Sequence, residues 1–204
     1  MRERTIYFVF TDTGTYLSRL INLYTNKPLN HVSIGFDHEL KEVYSFGRIN
    51  PKNPFSGGFV REDIRGDFLK NSSCGVYTLN ITEEEYINIR HHIKEIEKRA
   101  ADYKYNFIGL IGILLKINIR RKNAFFCSQF VATVLQDAES IKLSKPTNFI
   151  TAADIREQSE LQLIYQGRLG DYPKHELAEE ALLDRPKQSL FNTVSQKVKQ
   201  FVLR

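Results

Sequence analysis

Cys127 and His31 are the residues of this chain whose types and settings suit nucleophilic chemistry on an acyl group. Cys127 stands in Ala124-Phe125-Phe126-Cys127-Ser128-Gln129-Phe130-Val131, where an apolar, strand-like approach turns into a helix marked by Phe130, Val131, Val134 and Leu135. A helix N-terminus offers unpaired N–H groups and a partial positive charge, which favour thiolate over thiol. A free cysteine is also among the most buried residue types, so the setting alone does not make it reactive. His31 opens Asn30-His31-Val32-Ser33-Ile34-Gly35-Phe36-Asp37. An imidazole beside small neighbours can serve as the base that such a thiol needs.

Strand periodicity must place that histidine. Alternation puts Val32, Ile34 and Phe36 on a core face and His31 with Ser33, Gly35 and Asp37 on the other. A second strand, Glu42 to Gly47, follows through Asp37-His38-Glu39-Leu40-Lys41. If Tyr44 and Phe46 join the first core face, Val43, Ser45 and Gly47 share the face of His31; an even hairpin loop would bring Tyr44 there instead.

At these residues the chain resembles the circularly permuted, papain-like cysteine hydrolases related to NlpC-type cell-wall peptidases and to lecithin:retinol acyltransferase. The resemblance lies in a short helix ending Leu23-Tyr24-Thr25, in Asn30-His31-Val32-Ser33-Ile34 opening a strand, and in Phe126-Cys127-Ser128-Gln129 opening a helix. It runs from about Thr5 to Asp171, with the histidine ahead of the cysteine as in the permuted arrangement. It implies an α+β, permuted papain-like fold: an antiparallel sheet packed against helices, with the cysteine at a helix N-terminus. It also implies a third polar residue that orients the imidazole from the strand after the histidine strand. Ser45 is the leading residue for that role, with Tyr44 as the alternative register and Glu62, in Gly57-Gly58-Phe59-Val60-Arg61-Glu62-Asp63, held in reserve. The chemistry implied is acyl transfer from an amide or ester to water or another acceptor, with no cofactor and no metal. A small-molecule or peptide substrate follows, such as a cell-wall peptide fragment, or else a lipid ester. A module that keeps this fold without turnover is the competing class, for which serine as a weak orienter is the argument. The Cys127 N–H would meet the oxyanion, and the family suggests a tyrosine beside it, to be chosen among ten.

Two other patterns carry less. Phe8-Val9-Phe10-Thr11-Asp12-Thr13-Gly14 has the Asp-Thr-Gly turn of aspartic proteases, but Leu17, Leu20, Ile21 and Tyr24 then follow at helical spacing, where that motif needs strands. His91-His92 falls inside a helix expected from Thr82 toward Ala100, where adjacent side chains point about 100° apart. Neither the histidines nor the two cysteines have metal-ligand spacing.

The surrounding elements follow from capping and periodicity. Thr82-Glu83-Glu84-Glu85 opens its helix as a capping box, with Tyr86, Ile89, Ile93 and Ile96 as the buried stripe. Tyr103-Lys104-Tyr105-Asn106-Phe107 leads into an apolar run that ends at Leu115 and is far short of the ~20 residues that span a bilayer. Asn50 to Pro54 and Gly57-Gly58 mark loops. Pro146 to Ile155 gives a proline-bearing link to a small helix, and Leu161 to Tyr165 a closing strand.

At 204 residues and 42% apolar content the chain suits one catalytic domain, 1–171, with a charged extension, 172–204. The net charge of +5 is matched by the end of that extension, Arg185 to Arg204, where Arg185, Lys187, Lys197, Lys199 and Arg204 have no acidic neighbours. Leu190, Val194, Val198, Phe201 and Val202 recur there at helical intervals. Such a basic amphipathic helix suits peripheral contact with an anionic membrane, and equally packing against its own domain or a second subunit. A neutral domain without interleaved basic and aromatic residues argues against a nucleic-acid partner. Met1-Arg2-Glu3-Arg4 leads into an expected strand, not a signal peptide, and two cysteines make no disulfide framework, so a reducing cytoplasm is the expected compartment.

Overall fold

Strand β1, Glu3–Asp12, buries both of its faces, which marks it as central to a sheet. In the computed structural model, which describes residues 3–12, 14, 27–49, 56–106 and 123–173, that sheet has six strands. The others are β2 (His31–Gly35), β3 (Val43–Arg48), β4 (Gly57–Arg61), β5 (Ser73–Thr82) and a later strand β8 (Gln162–Arg168). They lie in the order β4-β3-β2-β1-β5-β8, and every pairing is antiparallel. The protein is therefore α+β with a mostly antiparallel sheet and few helices. These residues belong to a unit spanning Met1–Tyr172, separate from the chain beyond Pro173.

Alternation along the strands sorts side chains into two cores. One face carries Ile6, Phe8, Phe10, Val32, Ile34, Tyr44 and Phe46 against the helices. The other carries Tyr7, Val9, Val43, Cys74 and Val76 against Ile64, Leu69 and Leu169. Register fixes this arrangement, because Phe8 faces Ile34 across β1 and β2, and Ile34 faces Tyr44 across β2 and β3. Each large apolar side chain removed from water contributes about 1.5–3 kcal/mol, so a slip of one residue would be costly in every strand.

Helix α1, Glu83–Lys98, follows β5 directly and begins with the expected capping box. The Thr82 hydroxyl accepts from the Glu85 N–H at 3.2 Å, and the Glu85 carboxylate accepts from the Thr82 N–H at 2.7 Å. The same carboxylate accepts from the N–H groups of Glu139 and Ser140 and from the Ser140 hydroxyl. Glu85 thus joins the start of α1 to the loop that follows the cysteine helix.

Two short strands, β6 (Lys104–Tyr105) and β7 (Ala124–Phe125), pair in parallel and deliver the chain to helix α2, Cys127–Val134. Helix α3, Ala152–Arg156, has its own capping box between Thr151 and Asp154. Among the described residues no helix is long and apolar enough to cross a membrane. The helix expected near residues 16–25, the loop at 50–54, the apolar run 107–115 and the basic helix of the 172–204 extension, beyond Pro173, lie outside the described residues.

Candidate active site

The cysteine helix starts without a side-chain cap. Phe126 is the N-cap residue, extended at φ −107°, and it offers no hydroxyl or carboxylate to the first turn. Its carbonyl accepts the first helical bond, from the Phe130 N–H at 2.9 Å. The leading N–H groups are thereby left to whatever lies at the helix tip, which here is the Cys127 sulfur and any substrate. Two anchors hold the turn in place: Ser128 donates to the Ile150 carbonyl at 2.7 Å, and Phe130 packs against Phe46 and Phe59. Cys127 itself is only 7% exposed.

β2 brings His31 to the same point. The approach is constrained by Leu29, held at φ 58°, a conformation that bulky residues rarely adopt. Arg156 of α3 donates to the carbonyls of Pro28, at 2.7 Å, and Leu29. Gly47 lies beside the ring: a Cβ there would sit 3.6 Å from both His31 Cε1 and Glu62 Oε1. Ser33 also lies beside the ring, 3.4 Å from Nε2, whereas Gly35 packs against Leu40, Tyr7 and Val43.

The side chain that pairs with His31 is Glu62, not Ser45. His31 Nε2 and Glu62 Oε1 are 2.7 Å apart, and Ser33 donates to the other carboxylate oxygen at 2.5 Å. Ser45 shares the His31 face but is fully buried, and its hydroxyl donates to the Val32 carbonyl at 2.8 Å. That bond ties β3 to β2 and leaves the hydroxyl turned away from the imidazole. Tyr44 belongs to the opposite core, with its hydroxyl on Glu42 at 3.0 Å. Glu62 follows the last residue of β4, where its N–H donates to the Val43 carbonyl at 2.8 Å and its side chain turns back across the sheet.

With Nε2 facing Glu62, Nδ1 is the ring nitrogen available to Cys127, whose sulfur lies 3.9 Å from the Asn30 carbonyl oxygen. Burial works against the charge on all three groups, and their mutual contacts overcome it. Burial pushes the Cys127 thiol up, but the His31 charge and hydrogen bond and the N–H groups of Val32 and Ser128 bring it below its ordinary value. Burial pushes His31 down, but Glu62 and Cys127 hold it well above 6.5. Glu62 is likewise driven up by burial and brought below the usual carboxylate range by His31 and Ser33. The arrangement favours thiolate, imidazolium and carboxylate together.

Among the described residues, Tyr105 is close enough to Cys127 to feel its charge. Its phenol is pushed up strongly by burial and by the nearby Cys127 charge, and pulled the other way by Arg48. Gly57 makes room for it, since a Cβ on Gly57 would lie 2.8 Å from the Tyr105 Cβ. Sequence spacing gave no preference among ten tyrosines, because the choice depends on the parallel pairing of Tyr105 with Phe125 across β6 and β7.

The Asp-Thr-Gly and His91-His92 patterns, which the sequence gives little weight, add nothing to this group. The Asp12 carboxylate accepts from the Gly14 N–H at 3.0 Å and closes a local turn. The His91 and His92 rings lie 6.4 Å apart on α1, and among the described residues no group of three or more His, Cys, Asp or Glu could hold a metal. Cys74 is buried in the second core, where burial raises its thiol to about 11. A cavity of about 340 Å³ shares Glu62 with the site but none of His31, Tyr105 or Cys127. Comparison with family models, with curated proteins and with solved structures gives no match to this chain.

Proposed function

We propose that the protein is a cysteine-dependent hydrolase of the permuted papain-like kind, an amidase or peptidase that opens an amide or ester through a thioester. The observation that carries this reading is the chain of contacts from Cys127 through His31 to Glu62, at 2.7 Å between the last two, set at an uncapped helix N-terminus. The Cys127 thiolate attacks the acyl carbon, and the carbonyl electrons move onto oxygen. The Cys127 N–H and the Tyr105 hydroxyl receive that oxyanion. Collapse of the intermediate breaks the bond to the leaving amine or alkoxide, which takes the proton from His31. A water then gives its proton to His31 as its oxygen attacks the thioester. The acid departs, and the thiolate–imidazolium pair is restored. Glu62 holds the imidazole in position and stabilises its charge throughout.

A non-catalytic module would suit serine as the partner of His31. A buried carboxylate in that place removes the argument, because a charge desolvated this far is costly unless the imidazolium it serves is present. The lipid-ester alternative leaned on the basic extension.

The test is chemical and needs no substrate. The alkylation rate of Cys127 by iodoacetamide, followed against pH by mass spectrometry with Cys74 as internal reference, should rise at a pH well below that of an ordinary thiol. His31→Ala should abolish that advantage. A Cys127 that reacts no faster than Cys74 would overturn the reading.

A further inference from the structure

Arg48 is the last residue of β3, and it stands opposite Gly57 on β4. Directly paired residues project on the same side of a sheet, with their Cβ positions about 5 Å apart. The space where Gly57 lacks a side chain is filled by Tyr105, whose Cβ and Cγ lie 2.8 and 3.0 Å from where a glycine-replacing Cβ would sit. Arg48 therefore leaves the sheet beside the tyrosine that neighbours the nucleophile. From there its guanidinium reaches Phe68, with Cζ 5.8 Å from the ring centre. Phe68 is 38% exposed, so the cation lies on an open, partly apolar rim.

Of the sheet's arginines, Arg61 donates to the Lys41 carbonyl and Arg168 to the Asn71 side chain, and further arginines meet carboxylates. Arg4 pairs with Glu83, Arg90 with Glu42, and Arg99 with Asp102. No carboxylate pairs with Arg48 among the described residues. The charge count of the site gives that cation a use: thiolate, imidazolium and carboxylate sum to one negative charge, which repels an anionic substrate unless a cation accompanies it.

We propose that Arg48 forms the anion subsite of this active site and selects a substrate bearing a carboxylate close to the scissile acyl group, with an apolar group against Phe68. The planar guanidinium suits a carboxylate through two parallel N–H bonds, which an ammonium cannot reproduce. This inference rests on the thiol-hydrolase reading above and adds to it a substrate class: an acyl amino acid or peptide with a free carboxylate next to the cleaved bond.

Iodoacetate and iodoacetamide test it, since both form the same S–C bond with loss of iodide and differ in carrying a carboxylate or a neutral amide. In the unsubstituted protein the iodoacetate-to-iodoacetamide rate ratio at Cys127 should exceed that of 2-mercaptoethanol, and Arg48→Gln should lower it about tenfold, as expected for loss of one charge-assisted contact. Arg48→Lys should restore part of it. As a second measurement on the unsubstituted chain, N-acetylphenylalanine should slow iodoacetamide alkylation of Cys127 more than N-acetylphenylalaninamide does. Fast alkylation with a ratio unchanged in Arg48→Gln, or equal protection by acid and amide, overturns the subsite alone. Slow alkylation of the unsubstituted protein by both reagents overturns the hydrolase reading, and the subsite with it.

Discussion

Glu62 approaches His31 from the far end of the β3–β4 hairpin, placing Oε1 2.7 Å from Nε2 while Ser33 occupies the other oxygen. Both carboxylate oxygens are thus engaged, one by the imidazole and the other by the Ser33 hydroxyl, and the His31–Glu62 pair is nearly closed to solvent, at 13% and 9% side-chain exposure. An ion pair this sheltered is screened little by salt, so its loss should be felt directly by the thiol.

Glu62→Gln should therefore lower the pH-dependent reactivity of Cys127. The amide keeps a hydrogen bond but not the charge that holds His31 protonated, so the thiolate loses its counter-ion and its apparent pKa rises toward the ordinary thiol range. Turnover of p-nitrophenyl acetate should fall by about 10²-fold or more, in the range seen when an orienting carboxylate is neutralised. Ser45→Ala should leave the alkylation profile in place and cost about 1 kcal/mol of stability through its lost bond to Val32. Equal losses of reactivity in the two variants would contradict the assignment.

Tyr105→Phe separates oxyanion stabilisation from thiol activation. Removing one preorganised donor should reduce ester turnover by about 10²-fold. Alkylation passes through no oxyanion, so its rate should change by no more than about twofold on the same argument. A parallel fall in both rates would mean that Tyr105 acts by positioning Cys127.

The strand faces were legible because alternation reports burial directly: Val32, Ile34, Tyr44 and Phe46 fall on one core, and His31, Ser45 and Gly47 on the other side, as the pattern implies. The helix starts were legible for a similar local reason, since Thr82 and Glu85 identify each other at a fixed spacing. What could not be read was the partner of a polar group across the sheet. Ser45 has the right face, yet its hydroxyl finds the Val32 carbonyl on the adjacent strand. Glu62 follows the end of a short strand beside charged Arg61 and Asp63, where a solvated carboxylate is the ordinary outcome. Its reach to His31 depends on how the β3–β4 hairpin curls, and its second partner, Ser33, is fixed by register. Tyr105 depends on a two-residue parallel pairing between segments distant in sequence.

Gly57 and Gly47 offer a contrast that checks the packing of the site. At Gly57 an added Cβ would meet the Tyr105 Cβ at 2.8 Å and the Gly47 carbonyl at 3.0 Å, and neither atom is the free end of a side chain. Gly57→Ala should cost about 1–3 kcal/mol in urea unfolding, as overpacking does, and should lower ester turnover by displacing Tyr105. At Gly47 the nearest contacts are 3.5–3.6 Å, ordinary van der Waals distances, so Gly47→Ala should be tolerated in both measurements. Loss of fold or turnover in Gly47→Ala would show that His31 and Glu62 need more room than these contacts imply.

Glu85 should make the fold sensitive to acid. Burial raises its carboxyl, but the Ser140 hydroxyl and N–H and the corresponding groups of Thr82 outweigh burial and hold it down at about 2, against 4.5 for the free side chain. A carboxylate with a depressed folded-state pKa contributes stability that is present in full above its unfolded value and is lost as pH falls toward the folded one. That window is pH 4.5 down to about 2. At neutral pH the contribution is about 3 kcal/mol, and Glu85→Gln, which keeps the size but not the charge, should forfeit most of it. The difference in urea unfolding free energy between the two proteins should then shrink by about 2–3 kcal/mol between pH 7 and pH 2.5, as the Glu85 carboxyl of the unfolded chain takes up its proton. A difference that stays constant over that range would mean that Glu85 acts through shape and neutral hydrogen bonds, with no part for its charge.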